Sequence, residues 1–403
     1  LTSTHEIRFN QYVAPISWQP FDSIDQLKPL IQDLKCDDVF MSVPYLQSLE
    51  SSKPQDLDFR YLVFIQNEKP IGWAYVQVIP INLAKSLEFE SNESGMFANI
   101  YLQLKKWLAS FVDYKVLVLG NMLLTGEHGF YFDANISQKL VFKTVIEALE
   151  DCKKEWQKTW RNAKLVVIKD FYPNKIKFGS LWQRRCYAPF RIQPNMVMTL
   201  PKNIGSFDEY LAAITSKYRV RHKRAFKKLG NIERRVLTQD QVIFYLDKIY
   251  AYYLDCANNA GFNATLVPKE YFLNLSINMP ESFQIYGLFD GERMIGFYSF
   301  LINGSNFEAH FIGFDGLLNR ERQLYQNMLY FMVEDAITLD CKKIIFARTA
   351  IEIKSTVGAI PIEMDLYMKH SNFFIQLFIP FLLRYFTPKE HFIVRDPFKH
   401  EIE

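Results

Sequence analysis

The sequence predicts an α+β protein made of two tandem domains, each a mixed, mostly antiparallel sheet flanked by helices. Three observations carry this. The chain has 403 residues and a mass of 47.5 kDa, more than one hydrophobic core usually serves. The stretch "FQIYGLFDGERMIGFYSFLINGSNFEAHFIGFD", from Phe283 to Asp315, holds three β-prone runs joined at Asp290-Gly291 and Asn303-Gly304, dipeptides that favour tight hairpins. Finally, "NEKPIGWAYVQV" (Asn67 to Val78) lies on "GERMIGFYSFLI" (Gly291 to Ile302) without a gap, Ile71-Gly72 on Ile295-Gly296 and Trp73 on Phe297. A repeated segment at this separation points to two copies of one unit.

In the first copy, "KVLVLGN" from Lys115, a helix from about Ser137 to Lys158, and "AKLVVIKDF" from Ala163 give the order strand, helix, strand. Pro201, Gly205 and Ser206 in "LPKNIGSFDEY" mark a boundary, after which "SFDEYLAAI" opens a helix. The expected domains are therefore 1–200 and 201–403. In the second copy the meander precedes a helix in which Leu324, Met328, Phe331, Met332 and Ala336 recur at helical spacing. "CKKIIFAR" then reads as a buried strand lying beside the meander's last strand.

Composition excludes disordered and fibrous classes: 49% of residues are hydrophobic and 23% charged. The 35 Phe and 22 Tyr suit thick cores or hydrophobic clefts. A net charge of +3 means that affinity for a polyanion must come from local clustering. Five scattered cysteines, with no C-x-x-C pair and no His at metal-ligand spacing, imply a reducing, cytoplasmic setting and no metal site. The opening "LTSTHEIRFNQYVAPISW" lacks a signal-peptide pattern. The longest apolar stretch, "FFIQLFIPFLLRYF" (Phe373 to Phe386), is interrupted by Gln376, Pro380 and Arg384 and is too short to span a bilayer. It reads as a core or packing helix, with peripheral contact at an anionic inner membrane face as the alternative.

Charge does cluster locally. Lys217, Arg219, Arg221, Lys223, Arg224, Lys227 and Lys228 crowd one helix that Gly230 ends. Their mutual repulsion favours a phosphate-rich ligand, with Lys217, Arg221 and Arg224 as candidate contacts; a solvated basic face is the other reading. Glu308 and His310 alternate onto one face of a strand, where they suit amine deprotonation; the other reading is an exposed pair or a structurally bonded core histidine. Glu127 and His128, in the glycine-punctuated "GNMLLTGEHGFYF", are either a binding loop or a hairpin turn. In "FARTAIEIKSTVGAIP", Arg348 is expected to emerge at the sheet edge and pair with Glu352, lining an acceptor cleft with Lys354 nearby. Gly358-Ala359 would let the chain pass close to that pair.

The segments "LAAITSKYRVRHKRAFKKLGNIERRV" and "ARTAIEIKSTVGAIP", with the meander between them, resemble the Fem-like branch of the GNAT (Gcn5-related) N-acyltransferase superfamily, whose members carry tandem GNAT domains. The likeness is best from Phe207 to Pro361 and weaker from Tyr61 to Asn195. It implies two tandem GNAT-like domains, a splayed strand pair that accepts a donor's slender arm, and direct transfer of an acyl group to an amine. Acyl-CoA, acetyl-CoA first, is the implied donor, and the acceptor an envelope- or lipid-linked amine. Aminoacyl-tRNA is the donor of other Fem-like proteins, and a binding module without turnover is a third reading. Where GNAT enzymes carry a Gly-rich pyrophosphate loop, this chain has "GLLNRERQLYQ", with Gly316 its only glycine. Asn319, Arg320 and Arg322, followed by Gln323 and Tyr325, are the candidate phosphate and cofactor contacts there, and Glu308, His310 and Glu352 the catalytic candidates.

Overall fold

A computed structural model of the chain describes residues 14–55, 57–82, 113–160, 162–172, 179–259, 265–386 and 392–399; most of the opening stretch read for a signal peptide lies outside them. The described residues form two mixed, mostly antiparallel sheets flanked by helices. The first takes the order β1-β2-β3-β4-β6-β15-β7, with β5 also on β3. These strands are β1 (Ser17–Phe21), β2 (Asp58–Gln66), β3 (Lys69–Asn82), β4 (Asp113–Leu119), β5 (Phe130–Phe132), β6 (Ala163–Phe171), β7 (Ala188–Phe190) and β15 (Asp365–His370). The second runs β14-β8-β13-β12-β11-β10-β9, with β8 (Asn195–Thr199), β9 (Glu233–Val236), β10 (Phe283–Asp290), β11 (Arg293–Asn303), β12 (Asn306–Phe314), β13 (Lys343–Ile345) and β14 (Ile360–Ile362).

The repeat read from the sequence is visible as geometry. In the β2–β3 hairpin the register slips after Phe64 pairs with Gly72; in the β10–β11 hairpin it slips after Leu288 pairs with Gly296. These two glycines are the ones that align. A Cβ would sit 2.3 Å from the Tyr131 carbonyl oxygen at Gly72 and 3.0 Å from that of Gly313 at Gly296, so each position requires the bare backbone. The expected turns at Gly291 and Gly304 adopt φ of 60° and 58°, where glycine carries no steric cost.

The sheets do not part at one point in the chain. β8 precedes residue 200 yet sits between β13 and β14, and β15 returns from the second half to lie between β6 and β7. Each half thus completes the other's sheet, which couples them more tightly than a linker does.

Three cores result. Helix α3 (Gln138–Thr159) covers one face of the first sheet. Helices α6 (Ser216–Leu229) and α10 (Leu324–Thr338) cover one face of the second. Between the sheets a shared core joins Ile24, Leu27, Tyr45 and Leu49 to Tyr253, Tyr271, Phe272 and Phe297. It is built by α1 (Ile24–Ile31) and α2 (Val43–Ser51) from the first half, and by α7 (Gln239–Asn259) and α8 (Glu270–Asn278) from the second. The remaining short helices are α4 (Gly179–Gln183), α5 (Phe207–Ala213), α9 (Gly316–Arg322) and α11 (Ile351–Ser355).

The apolar stretch forms α12 (Phe373–Phe386) as a packing helix, covered on one side only. Ile379 is buried and Ile375 and Leu383 pack against the shared core, while Phe373, Phe374, Leu377, Phe378 and Phe381 are all more than 60% exposed. Among the described residues no helix is long and apolar enough to cross a membrane.

Candidate active site

β12 and β13 are parallel neighbours only over Asn306–Glu308 and Lys343–Ile345. Beyond that the chain bends away with β8, Phe346 N donating to Met196 O at 2.8 Å and Met196 N to Ala347 O at 3.1 Å. From Ala309 to Phe314, β12 has no strand partner on that side among the described residues, so the two strands fork with Glu308 on the last shared rung. The bend is local chemistry. Ala347, Thr349 and Ala350 all hold positive φ (57°, 68° and 48°), a conformation that costs non-glycine residues about 1 kcal/mol or more each. Lys354 offsets it: its Nζ donates to the carbonyls of Phe346 (2.6 Å), Ala347 (3.3 Å) and Arg348 (2.6 Å). Burial pushes the Lys354 ammonium down to about 7. Lys354, expected to touch substrate, is a buried clamp on the turn.

At the fork, residues from both halves converge. His128 Nδ1 lies 2.7 Å from Asp38 Oδ2, Asp38 Oδ1 accepts from Asn303 Nδ2 at 3.1 Å, and the Asn303 side chain also bonds Glu308. Burial pushes the Glu308 carboxyl up to about 7, with His128 and Asn303 pulling it down and Asp38 pushing it further up. His128 is governed by two opposed effects: burial disfavours its charge, and the carboxylates of Asp38 and then Glu308 outweigh this, raising it above its ordinary value. Tyr172, pushed up to about 12 by burial and then by Glu308, accepts at its hydroxyl from Asn195 Nδ2 at 3.1 Å. Asn195 is fully buried and its Oδ1 has no partner. Asp38, Asn303, Tyr172 and Asn195 were not singled out from the sequence; Asn303 was read there only as turn chemistry.

His310 shares Glu308's face, as expected, but plays a different part. Its Nε2 is 3.0 Å from the Tyr271 hydroxyl, which meets Tyr45 at 3.1 Å, and Tyr45 accepts from Asn121 Nδ2 at 3.1 Å. Burial pushes His310 down to about 3. It is a neutral member of a buried network crossing the shared core.

Arg348 does not pair with Glu352. Its guanidinium forks onto Asp170, Nη2 to Oδ1 at 2.5 Å and Nη1 to Oδ2 at 3.1 Å, and also reaches Thr125 Oγ1 and the Gln193 carbonyl. Asp170, fully buried in β6, also binds the Lys169 ammonium. Burial opposes the Asp170 charge, yet Lys169 and Arg348 hold its carboxyl below the ordinary range. Glu352 points outward and binds Arg395 at 2.5 Å. Gly358, at φ 107°, makes room for the Phe398 ring, which a Cβ would approach to 2.5 Å; the close passage is to the C-terminal segment, not to an ion pair. Arg348 thereby joins the halves, because its position at the end of a strand brings it to the loop Gly120–Gly129.

That loop explains why the halves differ. In the first sheet β4 and β5 are successive partners of β3, with the loop inserted where a continuous strand would run. Lys169 donates to Leu124 O, Gly126 N to Asp170, and Tyr172 N to Glu127 Oε1. The chain's own backbone sits in the first half's fork, and Glu127 fastens it there.

On the other side of the second sheet, α6 and the start of α10 border a cleft of about 480 Å³ lined by Lys217, Tyr218, Arg221, Arg224, Asn319, Gln323, Tyr325 and Gln326. An adjoining space of about 380 Å³ shares Arg221 and Ile353 and reaches Gln193, Glu352 and Phe392. The sequence candidates from the basic helix and the turn before α10 meet here, with two exceptions. Arg320 is exposed, and Arg322 lies against Glu321 and Gly230; neither lines the cleft. Asn319 lines it but spends its Oδ1 on Tyr325 N at 2.9 Å, capping α10 behind Gln323, which holds φ 52°. Asn327 ties α10 to α6 through the Ala225 carbonyl at 3.0 Å. Lys217, Arg221 and Arg224 have no carboxylate partner among the described residues.

No protein-family model and no curated protein matches the chain. Solved structures do. FemX is 11% identical with a TM-score of 0.52, over 90% of this chain and 99% of that one. A tandem GNAT protein from the clavulanic acid biosynthesis pathway is 7% identical (TM-score 0.46; 89% and 99%). The C-terminal DUF2156 domain of a putative lysylphosphatidylglycerol synthetase from Agrobacterium fabrum is 8% identical (0.47; 88% and 94%). The likeness shows the fold: two mixed sheets built by the two halves, similar to the fold of FemX over most of both chains.

Proposed function

We propose that the protein is an N-acyltransferase whose single working centre is the fork of the second half, with Glu308 as the general base. The observation that carries this reading is Glu308 itself: a buried carboxyl on the last rung before the strands part, with a proton affinity near neutrality, where a base is most effective. The donor's arm lies along Ala309–Phe314, adding backbone hydrogen bonds to the unpaired edge. Its phosphates rest among Lys217, Arg221 and Arg224, with Gln323 and Tyr325 at the wall. The acceptor enters from the face shared by the halves, beside Asn195, Tyr172 and His128. Glu308 takes a proton from the acceptor amine, the nitrogen attacks the acyl carbonyl carbon, the C–N bond forms, and the bond to the leaving sulfur or oxygen breaks. The proton ends on the leaving group. His128, whose hold on a proton Asp38 strengthens, faces the Glu308 carboxylate and favours its charge.

Acyl-CoA, acetyl-CoA first, is the donor in this reading, and an envelope- or lipid-linked amine the acceptor, handled from the cytoplasmic side. Aminoacyl-tRNA is the second donor. Two features favour it: Asn319 partly caps the helix end that a pyrophosphate would use, and the cations of α6 run on past the cleft to Lys223, Lys227 and Lys228, further than one diphosphate needs. The test measures thiol release from acyl-CoAs and amide formation from total charged tRNA, each with amine acceptors, for the parent and Glu308→Gln. Acceptor-dependent thiol release lost in Glu308→Gln supports the first donor, and product from charged tRNA alone supports the second. Binding of either donor with no product leaves a binding module and ends the enzymatic reading.

A further inference from the structure

The outward face of α12 is an apolar surface on an otherwise folded helix. Phe373, Phe374, Leu377, Phe378 and Phe381 are 67%, 73%, 61%, 63% and 67% exposed. The helix is held in place from its other side. Asn372 Oδ1 accepts from Phe374 N and Ile375 N. Gln376 accepts from His370 N and donates to the Cys186 carbonyl at 2.7 Å. The aromatic face is therefore presented by a capped, pinned helix. Exposed apolar area this concentrated marks a contact surface.

We propose that α12 seats the protein on an anionic lipid bilayer, lying flat at the boundary between headgroups and acyl chains. Its five outward side chains carry no hydrogen-bonding group or charge, whereas protein interfaces mix aromatics with polar partners and a polar rim; a lipid boundary needs no such partners. Fourteen residues make a helix of about 21 Å, suited to lying in the surface and too short to cross it. Both ends are flanked by cations. The Gln376 bond to Cys186 brings the exposed Arg184 beside the first turn, next to Arg185, which is paired with Glu147 at 2.9 Å. At the other end, Phe386 and Phe392 are six residues apart, at most about 20 Å of chain, and Phe392 lines the cleft with Arg221. Ile393 and Val394 beside Phe392 are exposed, and Val220 and Phe226 stand exposed between the cations of α6. Apolar insertion bordered by cations, among them Arg184, Lys217, Arg221 and Arg224 without a carboxylate partner among the described residues, is complementary to an anionic surface.

This inference does not depend on the transferase reading, since vesicle binding is measured without turnover. The full chain is floated with vesicles of phosphatidylcholine alone and of phosphatidylcholine with phosphatidylglycerol, beside Phe374→Glu and the triple variant Phe374→Glu, Phe378→Glu, Phe381→Glu. Expected are flotation with the anionic vesicles, about tenfold weaker partitioning for the single variant and about a thousandfold for the triple, with unchanged thermal unfolding because the replaced rings are exposed. The proposal is overturned if the parent does not float, if the variants float as it does, or if sedimentation without lipid shows a dimer that the triple variant dissolves, which would assign the face to a second copy.

Discussion

Replacing Glu308 by Gln should make the protein more stable and less active at once. The carboxyl rises from an ordinary 4.5 to about 7 on folding. At about 1.4 kcal/mol per pH unit, burying the carboxylate costs roughly 3 kcal/mol above pH 7. The sign follows from proton binding. Between 4.5 and 7 the folded state keeps a proton that the unfolded chain releases, so this group's contribution to stability falls as pH rises through that window. Glutamine keeps the shape and has no charge to desolvate. Urea unfolding of both proteins from pH 4.5 to pH 8.5 should show similar stabilities at the acid end, within about 1 kcal/mol. The variant should gain up to about 3 kcal/mol at the alkaline end, with an unchanged denaturant slope. Turnover should fall about 10²- to 10⁴-fold, and parental turnover should climb with pH through about 7 as the base loses its proton. A variant less stable than the parent at pH 8 would refute the reasoning, because the carboxylate would then be well satisfied by Asn303 and His128 and no longer poised as a base.

Asp170→Asn should cost about 3–5 kcal/mol by leaving Lys169 and Arg348 buried without a counter-charge, whereas Arg348→Ala leaves Asp170 paired with Lys169 and should cost about half as much; urea unfolding ranks them. The Asp170 contribution is present above the ordinary carboxylate value of about 4 and should fade as pH drops below it. His310→Phe should cost about 1–3 kcal/mol by leaving the Tyr271 hydroxyl short of a partner. It should leave the midpoint of the pH–rate profile unmoved, since an imidazole pushed to about 3 does not titrate there. Single Ala substitutions at Lys217, Arg221 or Arg224 should each weaken donor binding about tenfold by removing a charge-assisted phosphate contact, and each should flatten its salt dependence in a titration.

The fold was legible because its signals are local. The Gly291 and Gly304 turns and the period of α10 are set by steric rules that act within a few residues, and the aligned Gly72 and Gly296 show as a repeat in the sequence although the backbone each admits, at Tyr131 and Gly313, lies further along the chain. The candidate site was half legible for the same reason. Glu308 declared itself as a carboxylate on a strand face, and Lys217, Arg221 and Arg224 as an uncompensated run of charge. Arg348 misled because its partner, Asp170, lies 178 residues away, and the nearer Glu352 answers to Arg395. Asn195 was invisible since its role exists only once β8 joins the second half's sheet, and Asp38 since its partners, His128 and Asn303, lie 90 and 265 residues away. Lys354 was read as a residue of the acceptor cleft; three carbonyls turned inward by a left-handed turn make it an interior clamp. The helix from Phe373 to Phe386 read as a core or packing helix by composition, and composition does not say which side the fold will cover.

Hydrogen–deuterium exchange with and without a bound donor tests the central claim most directly, using acetyl-CoA and charged tRNA in separate runs. The account predicts slowed exchange at the amides of Ala309–Phe314, where the strand edge gains a partner, together with α6 from Lys217 to Arg224. Protection confined to the loop Gly120–Gly129, or saturable binding that leaves the edge of β12 exchanging as before, would contradict it.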